Sequence, residues 1–274
     1  MADTTAGQVM ALRKKTGLPM MECKEALTEC KGDEAAAIEW LTKKHKGKME
    51  ARSDRETGEG RIGVYISPDG TTGGIIELRC ETAPVAKNEM FIDLANKIAE
   101  QVAKGSEKNP SGESIGAALE AQVTEVYGKL RETMKIGACY KVTGDSLASY
   151  VHFDGKSGVL IGLKGKPADA DVSKNLAMHA TSLKPIAANR EDVPDTEVAK
   201  VRELAVAQAK EEGKPEQIVD KIADGKVNAF YAEKVLIEQE HVRSDVYGKK
   251  KVKDVLAENG VTGVTEMVYL TVGA

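Results

Sequence analysis

An α+β fold is predicted by three features of the chain. A strand, turn, strand, helix pattern occurs twice, over residues 62–104 and again over residues 149–183, so each of two small sheets has a face for a helix to cover. Residues 5–44 carry three short runs of helical periodicity and no strand-like alternation. Beyond Pro194 the pattern turns to long charged helices, broken at Gly213-Lys214-Pro215. The expected organisation is a three-helix module over 1–45, a linker over 46–61, core halves over 62–137 and 138–193, a helical hairpin over 194–240, and a C-terminal helix and closing strand over 241–274 that return to the core.

In the N-terminal module, Val9 and Leu12 begin an apolar face that Gly17 stops. Pro19 stands where the first turn of a second helix needs no N–H, and Asp33 can cap a third. A module of ~40 residues is near the lower limit for an independent core, so it is expected to be marginal alone or held by a partner. Met20 and Met21 are adjacent, and helical neighbours point ~100° apart, so one of them is expected at the surface. Residues 43–61 offer hardly an apolar side chain to bury and read as a solvated tether; acidic residues soon interrupt its basic first half.

The first hairpin runs through residues 62–66, the turn Pro68-Asp69-Gly70 and residues 74–80. Pro84 prevents simple continuation of the second strand, and Met90, Phe91, Leu94, Ala95, Ile98 and Val102 then mark a helix ended by Gly105. Residues 82–88 are therefore a strand-to-helix corner, where a rigid scaffold can present groups to a partner. Residues 114–135 read as one helix and residues 138–143 as a third strand for the second sheet. The second hairpin turns at Asp154-Gly155, and residues 265–272 close that sheet.

Hydrophobic residues make up 41% of the 274 and charged residues 30%, the profile of a soluble globular protein. Three Phe, one Trp and a net charge of -4 argue against single-strand stacking platforms and against a general polyanion binder. No apolar run approaches the ~20 residues that span a bilayer, and the N-terminus lacks a signal-peptide pattern, so a cytoplasmic protein without membrane contact is expected. Cys23, Cys30, Cys80 and Cys139 form no Cys-x-x-Cys pair and are expected as reduced thiols. Phosphate-loop, dinucleotide, zincin and nucleophile-elbow motifs are absent; His45, His152, His179 and His241 are scattered. A binding protein without catalytic residues, metal or cofactor fits better than an enzyme.

Val9-Met10-x-Leu12-Arg13-x-x-Thr16-Gly17-x-x-Met20-Met21-x-Cys23-Lys24-x-Ala26-Leu27 resembles the N-terminal module of the bacterial elongation factor Ts family. The likeness continues at Cys80-Glu81-Thr82, Val85-Ala86-Lys87-Asn88, Ala177-Met178-His179, Gly213-Lys214-Pro215 and Gly225-Lys226-x-x-x-Phe230-Tyr231. It implies a ubiquitin-associated-like module and a guanine nucleotide exchange factor for elongation factor Tu, binding Tu-GDP without covalent catalysis. It further implies that Arg13, Met20 and Met21 contact the Tu nucleotide domain, that Thr82, Ala83, Pro84 and Val85 dislocate the Tu magnesium ion, and that His179 lines the contact surface of the core.

This chain departs from the family at the corner, where Ala83-Pro84 stands in place of the usual Asp-Phe. The alternatives are a Ts-like protein that binds Tu with weak exchange, or a ribosome-associated RNA-binding protein using residues 43–61 and Lys249, Lys250 and Lys251. No direct nucleic acid contact is expected on the favoured reading, and the choice between a homodimer and a heterotetramer with Tu is open.

Overall fold

A computed structural model describes residues 4–274; the first three residues of the expected 1–45 module lie outside the described residues. Helices α1 (Ala6–Thr16), α2 (Met20–Glu29) and α3 (Glu34–Glu50) enclose a small core of Val9, Leu12, Cys23, Ala26, Leu27, Ala37 and Leu41. Gly17 ends α1 at φ 70°, and the Asp33 carboxylate accepts the Ala36 N–H at the start of α3.

Helix α3 continues to Glu50, so the connection to the core is residues 51–58 and the linker expected from residue 46 is half helix. Leu41, His45 and Met49 recur every four residues on α3; Leu41 and His45 are buried, and Met49 packs against the first half of the core. His45, one imidazole among lysines, and Met49 were the buried face that a count of charges concealed.

The first sheet is antiparallel, in the order β1 (Glu59–Ile66), β2 (Thr72–Cys80) and β3 (Lys135–Thr143). After β2 come a single helical turn, α4 (Ala83–Ala86), and then α5 (Glu89–Lys104), whose Phe91, Leu94, Ala95, Ile98 and Val102 bury against the sheet. Expected as one helix, residues 114–135 are two, α6 (Gly112–Ala118) and α7 (Glu120–Leu130). Leu119 leaves helical geometry at φ -115° and ψ 22°, and the bend lets Ile115, Leu119 and Val123 reach one core. Strand β3 belongs to the first sheet and not the second: Tyr140 pairs with Ile75 and Cys139 with Ile76. Its alternating pattern identified a strand, but a pattern of period two carries no partner.

The second sheet orders β4 (Ser146–Val151), β5 (Ser157–Lys164) and β6 (Gly263–Thr271), with α8 (Ala170–Leu183) on one face. Between the two sheets Ile62, Ile75, Val142, Leu147, Leu160 and Val268 form a shared core. The molecule is thus two sheets face to face with helices outside. Helices α9 (Asp195–Glu211) and α10 (Glu216–Lys234) form the hairpin, turning at Gly213 with φ 70°. Short helices α11 (Ser244–Tyr247) and α12 (Val252–Glu258) lead to β6. Among the described residues no helix is long and apolar enough to cross a membrane.

Candidate partner-binding surface

The corner after β2 is a rigid feature with few free groups. Thr82 is extended at φ -133° and its carbonyl accepts from the Ala86 N–H at 3.2 Å, closing the turn of α4. Pro84 sits in the first turn of α4, where the missing N–H costs no intrahelical bond. Glu132 then clamps the corner: its carboxylate accepts the Thr82 N–H at 3.0 Å and the Thr82 hydroxyl at 2.6 Å. Glu81 accepts the Thr133 N–H at 2.8 Å and pairs with Arg55 at 3.0 Å. Thr82 and Pro84 are exposed, Ala83 is half-buried, and Val85 packs inward against the first core. Of the four corner residues expected to act together, Thr82 and Pro84 face solvent most fully, while Val85 packs behind them.

Burial, with Glu132 nearby, pushes the Cys80 thiol up to about 12, so Cys80 is an inert core residue. It donates to the Thr82 carbonyl at 3.3 Å and ties the strand end to the corner.

Both Met20 and Met21 are exposed, 45% and 73%, where one was expected. The buried positions of α2 are Cys23, Ala26 and Leu27, one stripe that leaves no room for either thioether in the first turn. Arg13 is exposed on α1. The face is joined to the corner by the loop between α7 and β3. Arg131, in the left-handed region at φ 58°, pairs with Glu22 at 2.8 Å, next in sequence to Met21, while the adjacent Glu132 holds Thr82. Glu22 also meets His45 at 3.1 Å. Burial opposes its ionisation, but the hydrogen bond to His45 and the Arg131 charge keep its carboxyl below the usual range. Thr133 Oγ1 donates to the Arg52 carbonyl at 3.1 Å, and the His45 ring occupies the space a Cβ on Gly128 would need. The N-terminal module is therefore docked on α7 and not tethered. Arg131, Glu132 and Arg55 were not singled out from the sequence, and Glu81 entered only as part of the Cys80-Glu81-Thr82 motif; charged residues in a loop give no periodic signal.

His179 does not line an exposed surface. It is fully buried, its Nε2 lies 2.9 Å from Gln239 Oε1, and its Nδ1 accepts the Val242 N–H at 3.0 Å. The accepting Nδ1 assigns the ring proton to Nε2. Burial lowers its pKa, and burial also lowers that of His241, to about 4, helped by His179 and Arg243. The two rings lie 5.0 Å apart, with Tyr247 edge-on to His241. The pair anchors the segment after α10 to α8.

The family profile described as Elongation factor TS matches residues 81–274, beginning at the corner itself. The chain belongs to the elongation factor Ts family. Among its relatives, Elongation factor Ts of Bordetella petrii is 40% identical over 281 residues, covering all of this chain and 92% of that protein. Elongation factor Ts of Bordetella bronchiseptica is 42% identical with the same coverage, and that of Christiangramia forsetii 38% identical over 98% of this chain and 97% of its own. The elongation factor Ts relatives thus extend across the helical module that the profile match leaves out.

Proposed function

We propose that this guanine nucleotide exchange factor engages elongation factor Tu through the α1–α2 face and the Thr82–Val85 corner. Its activity is exchange by binding, with no covalent step. A partner that binds Tu more tightly without GDP than with it must weaken GDP by the same factor, and a ~1000-fold effect needs ~4 kcal/mol of differential affinity. The exposed Arg13, Met20 and Met21 supply adaptable contact to the Tu nucleotide domain. The corner, held by Glu132, presses on the magnesium and phosphate site, Thr82 and Pro84 foremost. The observation that carries this reading is the Glu22–Arg131–Glu132–Thr82 connection, which ties the first turn of α2 to the corner through one loop.

Of the lysines of an RNA-binding reading, Lys44 pairs with Glu25, Lys250 with Glu258, and Lys251 with Glu238. That favours a protein partner over a phosphate backbone. A cytoplasmic location follows from translation as the setting. Stopped-flow release of labelled GDP from the cognate Tu, with and without the full chain, tests the proposal. Acceleration is expected; binding without acceleration would make the chain a Tu-binding protein of weak exchange, and absence of both would refute it.

A further inference from the structure

A cavity of about 360 Å³ lies in the seam between the N-terminal module and α7, walled by Leu18, Ile38, Leu41 and Ala121. A second of about 350 Å³ shares Thr42, Ala121 and Thr124 with it, so the two form one groove along α3 and α7. Thr124 is 1% exposed, and its hydroxyl has no hydrogen-bond partner. Other threonines of the chain behave differently. Thr16, Thr28, Thr42 and Thr181, also on helices, each donate to the carbonyl four residues before, at 2.8–3.0 Å. A helical threonine has two χ1 settings, and Thr124 takes one that commits nothing to its own helix.

A buried hydroxyl without a partner loses its hydration with nothing in return, unless a bound molecule supplies the bond. The charged groups of the groove are already matched: Lys15 pairs with Glu34, Glu125 with Lys129 and His45 with Glu22, and those of the second cavity pair among themselves. A neutral occupant is therefore favoured over an ion. Water needs two to four polar partners, and Thr16 and Thr42 have committed their protons to helix carbonyls beside aliphatic walls. A groove of this size, apolar apart from one free polar group, instead has the make-up of a small-molecule site. We propose that the seam binds a neutral small molecule with an apolar body and one hydroxyl or carbonyl. Its polar atom bonds to Thr124 Oγ1 and its body lies against Leu18, Ile38 and Leu41. A molecule seated there touches α3 and α7 together and tightens the docking of the module on the core.

The test is an amide chemical-shift titration of the labelled full chain with p-cresol and with toluene, which share a shape and differ by one hydroxyl, accompanied by thermal melts. Saturable shifts are expected over residues 38–42 and 121–125, with p-cresol about fivefold tighter than toluene, equivalent to ~1 kcal/mol. Thr124→Val keeps the shape and removes the hydroxyl, so it should erase that difference without lowering the melting temperature. Ala121→Leu, at the exposed mouth of the groove, should block both probes and leave the melt unchanged. Shifts that do not saturate or that scatter over the chain, equal affinity for the two probes, or binding that Ala121→Leu leaves untouched would overturn the proposal. A p-cresol preference that survives Thr124→Val overturns it as well, and so does a Thr124→Val chain that melts lower, since the hydroxyl is then bonded in solution. Neither Tu nor GDP enters the measurement, so its failure leaves the exchange-factor reading standing.

Discussion

Pro84 is exposed and Glu132 holds the residue two before it, so the corner is stiff by two independent means: a fixed φ and a two-point carboxylate clamp. Pro84→Gly should slow GDP release several-fold at saturating factor while Tu affinity changes little, because a flexible corner adapts to the partner instead of deforming it. Stopped-flow rates and equilibrium binding measured separately decide this; an unchanged plateau rate places the deformation elsewhere. Met20 and Met21 argue differently, since both are already in water. Replacing both by Asp should leave the fold and melting temperature intact and weaken Tu binding at least about tenfold, because a carboxylate buried in an apolar contact costs several kcal/mol. Calorimetric titration that finds unchanged affinity would put the pair outside the interface.

At the scale of elements, the loop between α7 and β3 joins what the chain separates. Glu132→Ala would leave the Thr82 N–H and hydroxyl without their acceptor, a loss of ~1–2 kcal/mol at a partly solvated site. Faster amide exchange at Thr82, with unaltered protection in α5, is the expected result. The segment after α10 responds to pH instead. His241 is depressed to about 4 by burial and by His179, so the unfolded chain takes up its proton near 6.5 while the folded chain resists. Its stabilising contribution is complete above pH ~6.5 and is lost as the pH falls from there toward 4, up to ~3 kcal/mol. His179 shifts in the same direction, and a proton on its Nδ1 would face the Val242 N–H. Melting temperature against pH should therefore fall across this window, and His241→Asn, whose side-chain oxygen can still accept the Arg243 N–H, should flatten the slope.

For the molecule as a whole, the question is how the helical module and the hairpin are carried by the core. Deleting residues 1–50 removes the partner of a face of α7 on which Thr124 and Tyr127 are buried. The remaining core should fold, with a melting temperature lower by a few degrees and Tu affinity strongly reduced; far-UV dichroism and a binding titration check both, and an unfolded remnant would show that the module is part of the core. The hairpin base is fixed by Glu238, 7% exposed, against Arg190, Lys251 and Lys253. Burial works against this carboxylate, but hydrogen bonds from Lys251 and Arg190 bring it down to about 2. It is a buried charge kept by its three partners, whose joint removal would leave it uncompensated.

The sequence by itself determined most of the helices and strands, though not the end of α3 or the break at Leu119, because periodicity, Gly17, Asp33, Gly105 and Gly213 act locally and each sets the backbone within a few residues. It also determined the family, since the motifs stand in order along nearly the whole chain. Only the tertiary structure decided that β3 pairs with β2, that His45 and Met49 bind the helical module to the core, that His179 is enclosed by Gln239 and Val242, and that Val85 faces inward. Each of these depends on contacts between residues far apart in the chain, and a local pattern records that a side chain is apolar or polar without recording what it meets. Arg131 and Glu132 are the sharpest instance: two charged loop residues whose importance comes from Glu22, 109 positions from Arg131, and Thr82, 50 positions from Glu132, brought within hydrogen-bond reach by the fold.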